Sequence, residues 1–214
     1  MSREWNRAEI SHCWRFFQGV STMIMLVFGL IVFLGLHSLR IVADDWRKQQ
    51  IARIGLHRWK GFCSIVALIG IGLIIWGFGL ARQHPVLVYA PPLWLRHLNS
   101  LFMLVALIFL AAARVPRNHI KARLGHPQVL AVKTWSFGHL LATGMLHDLV
   151  LFAPFLVWSV VFFIVSRRRD RRDSTVYPAG TVKGDALAVV MGVAVWTLFA
   201  FWLHNLLFGV NPLT

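Results

Sequence analysis

Apolar residues gather into six long blocks, at residues 20–42, 62–81, 97–113, 126–147, 149–166 and 186–210, separated by polar and mostly basic connectors. A hydrocarbon layer about 30 Å thick is crossed by roughly 20 residues of helix. The blocks match that length, so the pattern predicts an all-α integral membrane bundle of six transmembrane helices. No connector is long enough to bury a core of its own. Residues 1–19 read as an N-terminal arm rich in aromatics, and residues 20–214 as one membrane domain. The apolar run from Val20 follows basic residues as a secretion signal does, but His37, Ser38, Leu39 and Arg40 come where a small-x-small cleavage site belongs, so it reads as a retained first span. In the second block, Gly70 and Gly77 stand seven residues apart and open one face to close helix contact. Pro127 suits the first turn of a helix, Asp148 marks a tight hairpin between the fourth and fifth blocks, and Pro154 predicts a kink.

The fourth block, HPQVLAVKTWSFGHLLATGMLH, is the one with chemistry in it. At 3.6 residues per turn, Val132, Trp135, Ser136, His139 and Thr143 share one face, while Leu130, Phe137 and Leu141 share another. An ionisable group at that depth costs a few kcal/mol, so His139 belongs on an interior face with a partner. A hydrogen bond to a neighbouring helix would satisfy it as well as a ligand would.

Composition agrees with the pattern: 57% of residues are hydrophobic and 14% charged. The net charge of +14 would suggest nucleic acid on a soluble protein. Here sixteen of the 22 Lys and Arg lie in or at the edge of the first, third and fifth connectors, and five lie on the opposite side. Membrane topology explains that asymmetry and nucleic-acid binding does not. The positive-inside rule places both termini outside the cytoplasm. Cys13 and Cys63 form no C-x-x-C pair and read as free thiols.

Histidine is the abundant candidate ligand, with ten in the chain. None falls in an H-E-x-x-H or H-x-x-H-H pattern, which leaves zinc-protease and di-iron desaturase sites without support. His57, His84 and His119 lie in connectors and read as solvated, His12 lies in the arm, and His147 reads as a polar stop at a helix end. His37, His97, His139 and His204 lie one on each of four spans. Two neutral imidazoles on different helices can clamp a haem iron from opposite faces. His37 sits near the cytoplasmic edge of its span and His139 about ten residues, or ~15 Å, from the same edge. His97 and His204 belong near the outer face, as a pair or as interfacial hydrogen-bond formers. Arg40 and Lys133 point toward the cytoplasmic edge, where they could meet haem propionates or simply snorkel to headgroups. The acidic residues all fall outside the spans, which argues against a carboxylate proton relay.

Several ordered pieces resemble the NnrU family of bacterial inner-membrane proteins. They are Gly-Leu-His-Ser at 35–38, Trp-Gly-Phe-Gly at 76–79, Ala-Pro-Pro-x-Trp-x-Arg-His at 90–97 and His-Pro at 126–127. Val-Lys-x-Trp-x-x-x-His-Leu-Leu-Ala-x-Gly at 132–144, Gly-Asp at 184–185 and Trp-Leu-His at 202–204 complete the set. The resemblance implies a link to denitrification, through nitrite and nitric oxide reduction. The plant 15-cis-zeta-carotene isomerase is similar at a greater distance, and implies haem b with His37 and His139 as axial ligands. On that reading the chain is a haem-dependent isomerase or an electron-transfer protein, with a small apolar substrate or reductase components as partners beside the lipid bilayer. Ser136 stands where the plant enzyme has Cys, Gly125 where the family commonly has Arg, and Asn205 where it commonly has Pro. The arm also looks longer than is usual for the family. The alternative implied by the same resemblance is a cofactor-free accessory or regulatory protein for nitrite or nitric oxide reductase. More remotely, His126-Pro127 is similar to a stretch of membrane S-adenosylmethionine-dependent methyltransferases, although those enzymes need downstream acidic and tyrosine residues and no glutamate follows Glu9 here.

Overall fold

The computed structural model describes residues 23–212 of the chain. The expected N-terminal arm, with His12 and Cys13, lies outside the described residues. Helices account for nearly all regular structure there; the one bridge of extended chain pairs Leu87 with Met145. The helices are α1 (Ile24–Val42), α2 (Asp44–Ile54), α3 (Leu56–Ala81), α4 (Trp94–Arg114), α5 (His119–Leu124), α6 (Pro127–Ala142), α7 (Leu146–Arg172) and α8 (Val182–Leu198). A π-helical turn at Phe199–Leu203 then leads into α9 (His204–Phe208).

Five helices are long and apolar enough to cross a membrane: α1, α3, α4, α7, and α8 with its continuation to Phe208. Their large side chains turn outward. Ile65, Leu68 and Ile75 on α3 and Trp202 and Leu206 near the C-terminus are all more than half exposed, as expected where lipid is the solvent. The block expected to be the fourth span is shorter than its apolar run. α6 has 16 residues, stops at Ala142 and gives way to extended chain at Thr143 before α7 starts at Leu146. Its ~24 Å fall short of a ~30 Å hydrocarbon layer. The charged connector after α1 is itself helical, since Asp44 and Asp45 open α2 where acidic side chains suit the helix dipole. Pro154 does not end α7, which continues through it.

The chain divides into two compact units. In the first, which takes in Met1–Tyr89 and Met145–Leu151, α1 packs along α3. The contact depends on three glycines. A Cβ on Gly77 would strike the backbone of Leu26, one on Gly70 would come within 3.0 Å of Phe33, and one on Gly29 would come within 2.7 Å of Ile74. The sevenfold spacing read in the sequence is thus a real contact face. Leu26, at the centre, is fully buried. The segment after α3 is tied down by Leu146, whose N–H donates to the Val86 carbonyl at 2.8 Å.

In the second unit, Ala90–Gly144 and Phe152–Thr214, α4 is the hub, with α6 and α8 packed against it. Gly138 lets α6 approach Asn99 and Phe102 of α4, and Gly192 lets α8 come within 2.6 Å, at a hypothetical Cβ, of Ile108. The Trp196 indole donates to the Ser100 carbonyl at 3.0 Å and fixes the register of that second pair. Asn118, 1% exposed, closes the end of α4: its amide donates to the carbonyls of Ala112 and Val115, and its oxygen caps α5 by accepting from Lys121.

Gly77→Val is therefore expected to destabilise the protein by about 1–3 kcal/mol, as overpacking does. Gly79→Val, at a position with nothing within 4 Å, serves as the control and is expected to unfold like the parent. Thermal unfolding in detergent measures both, and equal loss in the two variants would refute the contact.

Candidate functional site

Each candidate histidine is positioned by the turn of helix that precedes it. On α1, His37 Nδ1 lies 2.7 Å from the Phe33 carbonyl, and the two rings are 4.3 Å apart. On α6, His139 Nδ1 lies 2.9 Å from the Trp135 carbonyl. A carbonyl can only accept, so in both rings Nδ1 carries a proton and donates it, and in the neutral form of the ring the lone pair is on Nε2. The two belong to different units, His37 with Arg40 to the first and His139 with Lys133 to the second.

His139 has the more elaborate setting. Its ring stacks on Phe152 of α7 at 4.4 Å and 21°. Trp135 meets the edge of Phe152 at 4.9 Å and of Phe155 at 5.4 Å, so three aromatic rings build the wall beside the imidazole. The face predicted from helix periodicity divides as expected for Ser136 and Phe137: the first is wholly buried and the second is 41% exposed, edge-on to Phe102. Ser136 does not reach outward, however. Its hydroxyl donates back to the carbonyls of Val132 and Lys133, at 2.8 and 3.1 Å.

His204, whose role the sequence left open, lies in the same unit as His139. It follows the π-helical turn directly, and its Nδ1 lies 2.7 Å from the Val210 carbonyl. π-turns recur at functional positions because the extra residue re-aims the side chains after it. His97, by contrast, is exposed on α4.

Two other histidines depart from their expected settings. His119, read as solvated, pairs with Asp185: Nδ1 stands 2.6 Å from one carboxylate oxygen and the backbone N–H donates to the other at 2.7 Å. His147, read as a polar stop, is only 5% exposed and lies edge-on to Phe78. The pairing partners are 66 residues apart in sequence for His119, which is why local reading passed over them.

Among the described residues no three or more His, Cys, Asp or Glu side chains cluster as a metal site would require. A haem iron makes a smaller demand, because its porphyrin supplies four nitrogens and the protein one or two axial ligands. Imidazoles held by Nδ1 with Nε2 as lone-pair donor have the right chemistry for that role. Arg40, on the last turn of α1, and Lys133, within α6, are the cations nearest in sequence to the two histidines.

Five apolar helices without a strand among the described residues, and polar groups concentrated at helix ends, define a multi-pass membrane protein in contact with lipid. The family can be stated as well: the family model NnrU protein matches residues 25–212, nearly the whole chain, and the chain belongs to the NnrU family. No curated protein and no solved structure matches it.

The hydrogen-bond geometry predicts the tautomer. In protein labelled with nitrogen-15 histidine and prepared without haem, His139 is expected to show a pyrrole-type Nδ1 and a pyridine-type Nε2, assigned by loss of the signals in His139→Gln. The reverse pattern would contradict the contact with Trp135.

Proposed function

We propose that this NnrU-family protein binds haem b in the bacterial inner membrane, with His37 and His139 as its two axial ligands, and serves denitrification beside nitrite and nitric oxide reduction. The observation that carries the reading is the shared local geometry of the two imidazoles, each spending Nδ1–H on the carbonyl four residues back and keeping the Nε2 lone pair. Arg40 and Lys133 are the proposed partners of the propionates. When bound, haem supplies a redox-active iron, and two neutral imidazoles tune its potential. The reaction it serves is redox-gated isomerisation of a small apolar substrate, or electron transfer.

The residues of the chain have definable parts in this. Trp135, Phe152 and Phe155 exclude water beside His139 and keep its ring from rotating. Ser136 turns its hydroxyl onto its own helix, so it offers no second ligand one turn before His139. Were His37 and His139 both to hold haem, a substrate could reach the iron only if one imidazole released it.

A reduced-minus-oxidised visible spectrum of the purified protein, with a pyridine haemochrome assay, tests the reading. A low-spin b-type spectrum is expected, lost or turned high-spin in His37→Ala and in His139→Ala and retained in His204→Ala. Loss in His204→Ala with His37→Ala unaffected would transfer the second axial position to His204. A colourless protein made under ample haem supply would overturn the cofactor and favour a cofactor-free accessory role at the reductases.

We also propose that α6 is a sixth, short crossing, with both termini periplasmic. The excess of Lys and Arg in alternate connectors supports this, and slight thinning of the bilayer would accommodate the helix length. A C-terminal alkaline phosphatase fusion is then expected to be active and a green fluorescent protein fusion dark. The opposite pair of results rules the topology out.

A further inference from the structure

The basic connectors follow from membrane topology, but topology does not require their side chains to converge. In the second unit three of them do. Arg123 from α5 and Arg167 and Arg171 from the last turns of α7 line one cavity of about 410 Å³ together with Ser174, Thr175 and Tyr177. The only acidic side chain in its wall is Asp170.

That carboxylate is already committed. One of its oxygens takes the Tyr177 hydroxyl at 2.9 Å, lies 2.9 Å from His126 Nε2, and accepts from Arg167 at 3.3 Å. Asp173, next along, is engaged by Arg172 at 2.8 Å. Among the described residues no carboxylate lies within ion-pair distance of Arg123 or Arg171. Three guanidiniums against one carboxylate leave two positive charges facing a single opening. The C-terminus of α7 contributes only about half a negative charge, which does not balance them.

The wall is built rather than incidental. Thr175 N–H donates to the Asp170 carbonyl at 2.9 Å, folding the chain after α7 back along the helix. Ser174 takes φ +48°, an uncommon left-handed conformation for serine, to make the turn. Gly125, at φ +77°, leaves room for the Arg167 guanidinium and the Tyr177 ring, which a Cβ would displace. The result is an opening that offers forked guanidinium donors and hydroxyls to an anion with several oxygens.

We infer that this cavity is a binding site for a phosphoryl group, held by Arg123 and Arg171 with Arg167 and the Ser174 and Thr175 hydroxyls around it. Guanidinium pairs recognise phosphate oxygens bidentately, and the charge excess is the right sign and size for a phosphate mono- or dianion. Two sources carry that chemistry. One is the headgroup of an anionic phospholipid, because Arg167 and Arg171 follow directly on the apolar run of α7 and so stand at headgroup level. The other is free phosphate or a small phosphorylated solute.

The test uses the full chain, delipidated in a neutral detergent. Its thermal unfolding is titrated with inorganic phosphate, with phosphatidylglycerol in mixed micelles, and with phosphatidylcholine as the zwitterionic control, and native mass spectrometry counts retained lipid. The expected result is saturable stabilisation by phosphatidylglycerol or by phosphate, with phosphatidylcholine weaker. Stabilisation by phosphatidylglycerol alone identifies the lipid, by phosphate alone the solute, and by both the phosphoryl group itself. Arg123→Gln and Arg171→Gln, both exposed side chains, are expected to weaken the midpoint roughly tenfold each. Arg168→Gln, outside the cavity, is expected to leave it unchanged. No saturable effect from either probe would overturn the site, as would equal binding by the Arg123→Gln, Arg171→Gln double variant.

Discussion

Close approach of helix backbones at glycine is the constraint on which both units rest. In lipid no hydrophobic force draws one apolar helix to another, so association comes from packing and from the few interhelical hydrogen bonds available. α1 and α3 meet at Gly29, Gly70 and Gly77, where a single methyl group would strike the facing helix. α4 takes α6 at Gly138 and α8 at Gly192 in the same manner. The tryptophan bond from Trp196 to Ser100 then selects one register from those that glycine alone would permit.

These contacts also aim the histidines. Phe33 packs its backbone and Cβ on Gly70, offers its carbonyl to His37 and lays its ring beside the imidazole. Seating Phe33 thus fixes the histidine one turn on. On α6, Gly138 faces α4, and the next residue turns about 100° from it. His139 is thereby directed to Phe152 of α7, and Trp135 to Phe152 and Phe155. A glycine contact on one side of a helix and an aromatic wall on another hold an imidazole in one rotamer, the condition under which it can serve as a preorganised ligand.

Much of this was legible in the chain because it is local. Apolar runs marked the spans, the Gly70–Gly77 spacing marked a contact face, and Pro127 marked the start of α6. What was not legible depends on tertiary placement or on competing local preferences. The apolar run through His147 gave no warning that the helix stops at Ala142, since the bridge that Met145 makes just beyond it is to Leu87, more than fifty residues earlier. A run of charges concealed a helix in α2, whose support comes from Asp44 and Asp45 at its start and from ion pairs of Asp44 with Arg47 and Lys48. The partners of His119 and His126 come from α8 and α7, 66 and 44 residues away, beyond the range of any spacing rule. Asn118 did carry a local signal, standing just before a short helical run as a cap should. Its two bonds back to α4 could not be read from that position.

The acidic residues show how the connectors and the spans divide the work. Asp44, Asp170, Asp173 and Asp185 each sit at or near a helix end and each holds a basic or imidazole partner there. Carboxylates are therefore spent on closing turns and docking short helices, where water still lowers the cost of charge. Imidazole is left as the polar group of the spans, since a neutral ring can be satisfied by one backbone carbonyl whereas a carboxylate at that depth needs several donors. Among the described residues, the same allocation leaves Arg123 and Arg171 with no acid of their own. Among the described residues, local satisfaction of the acids and surplus charge at the arginine cavity are two sides of one distribution.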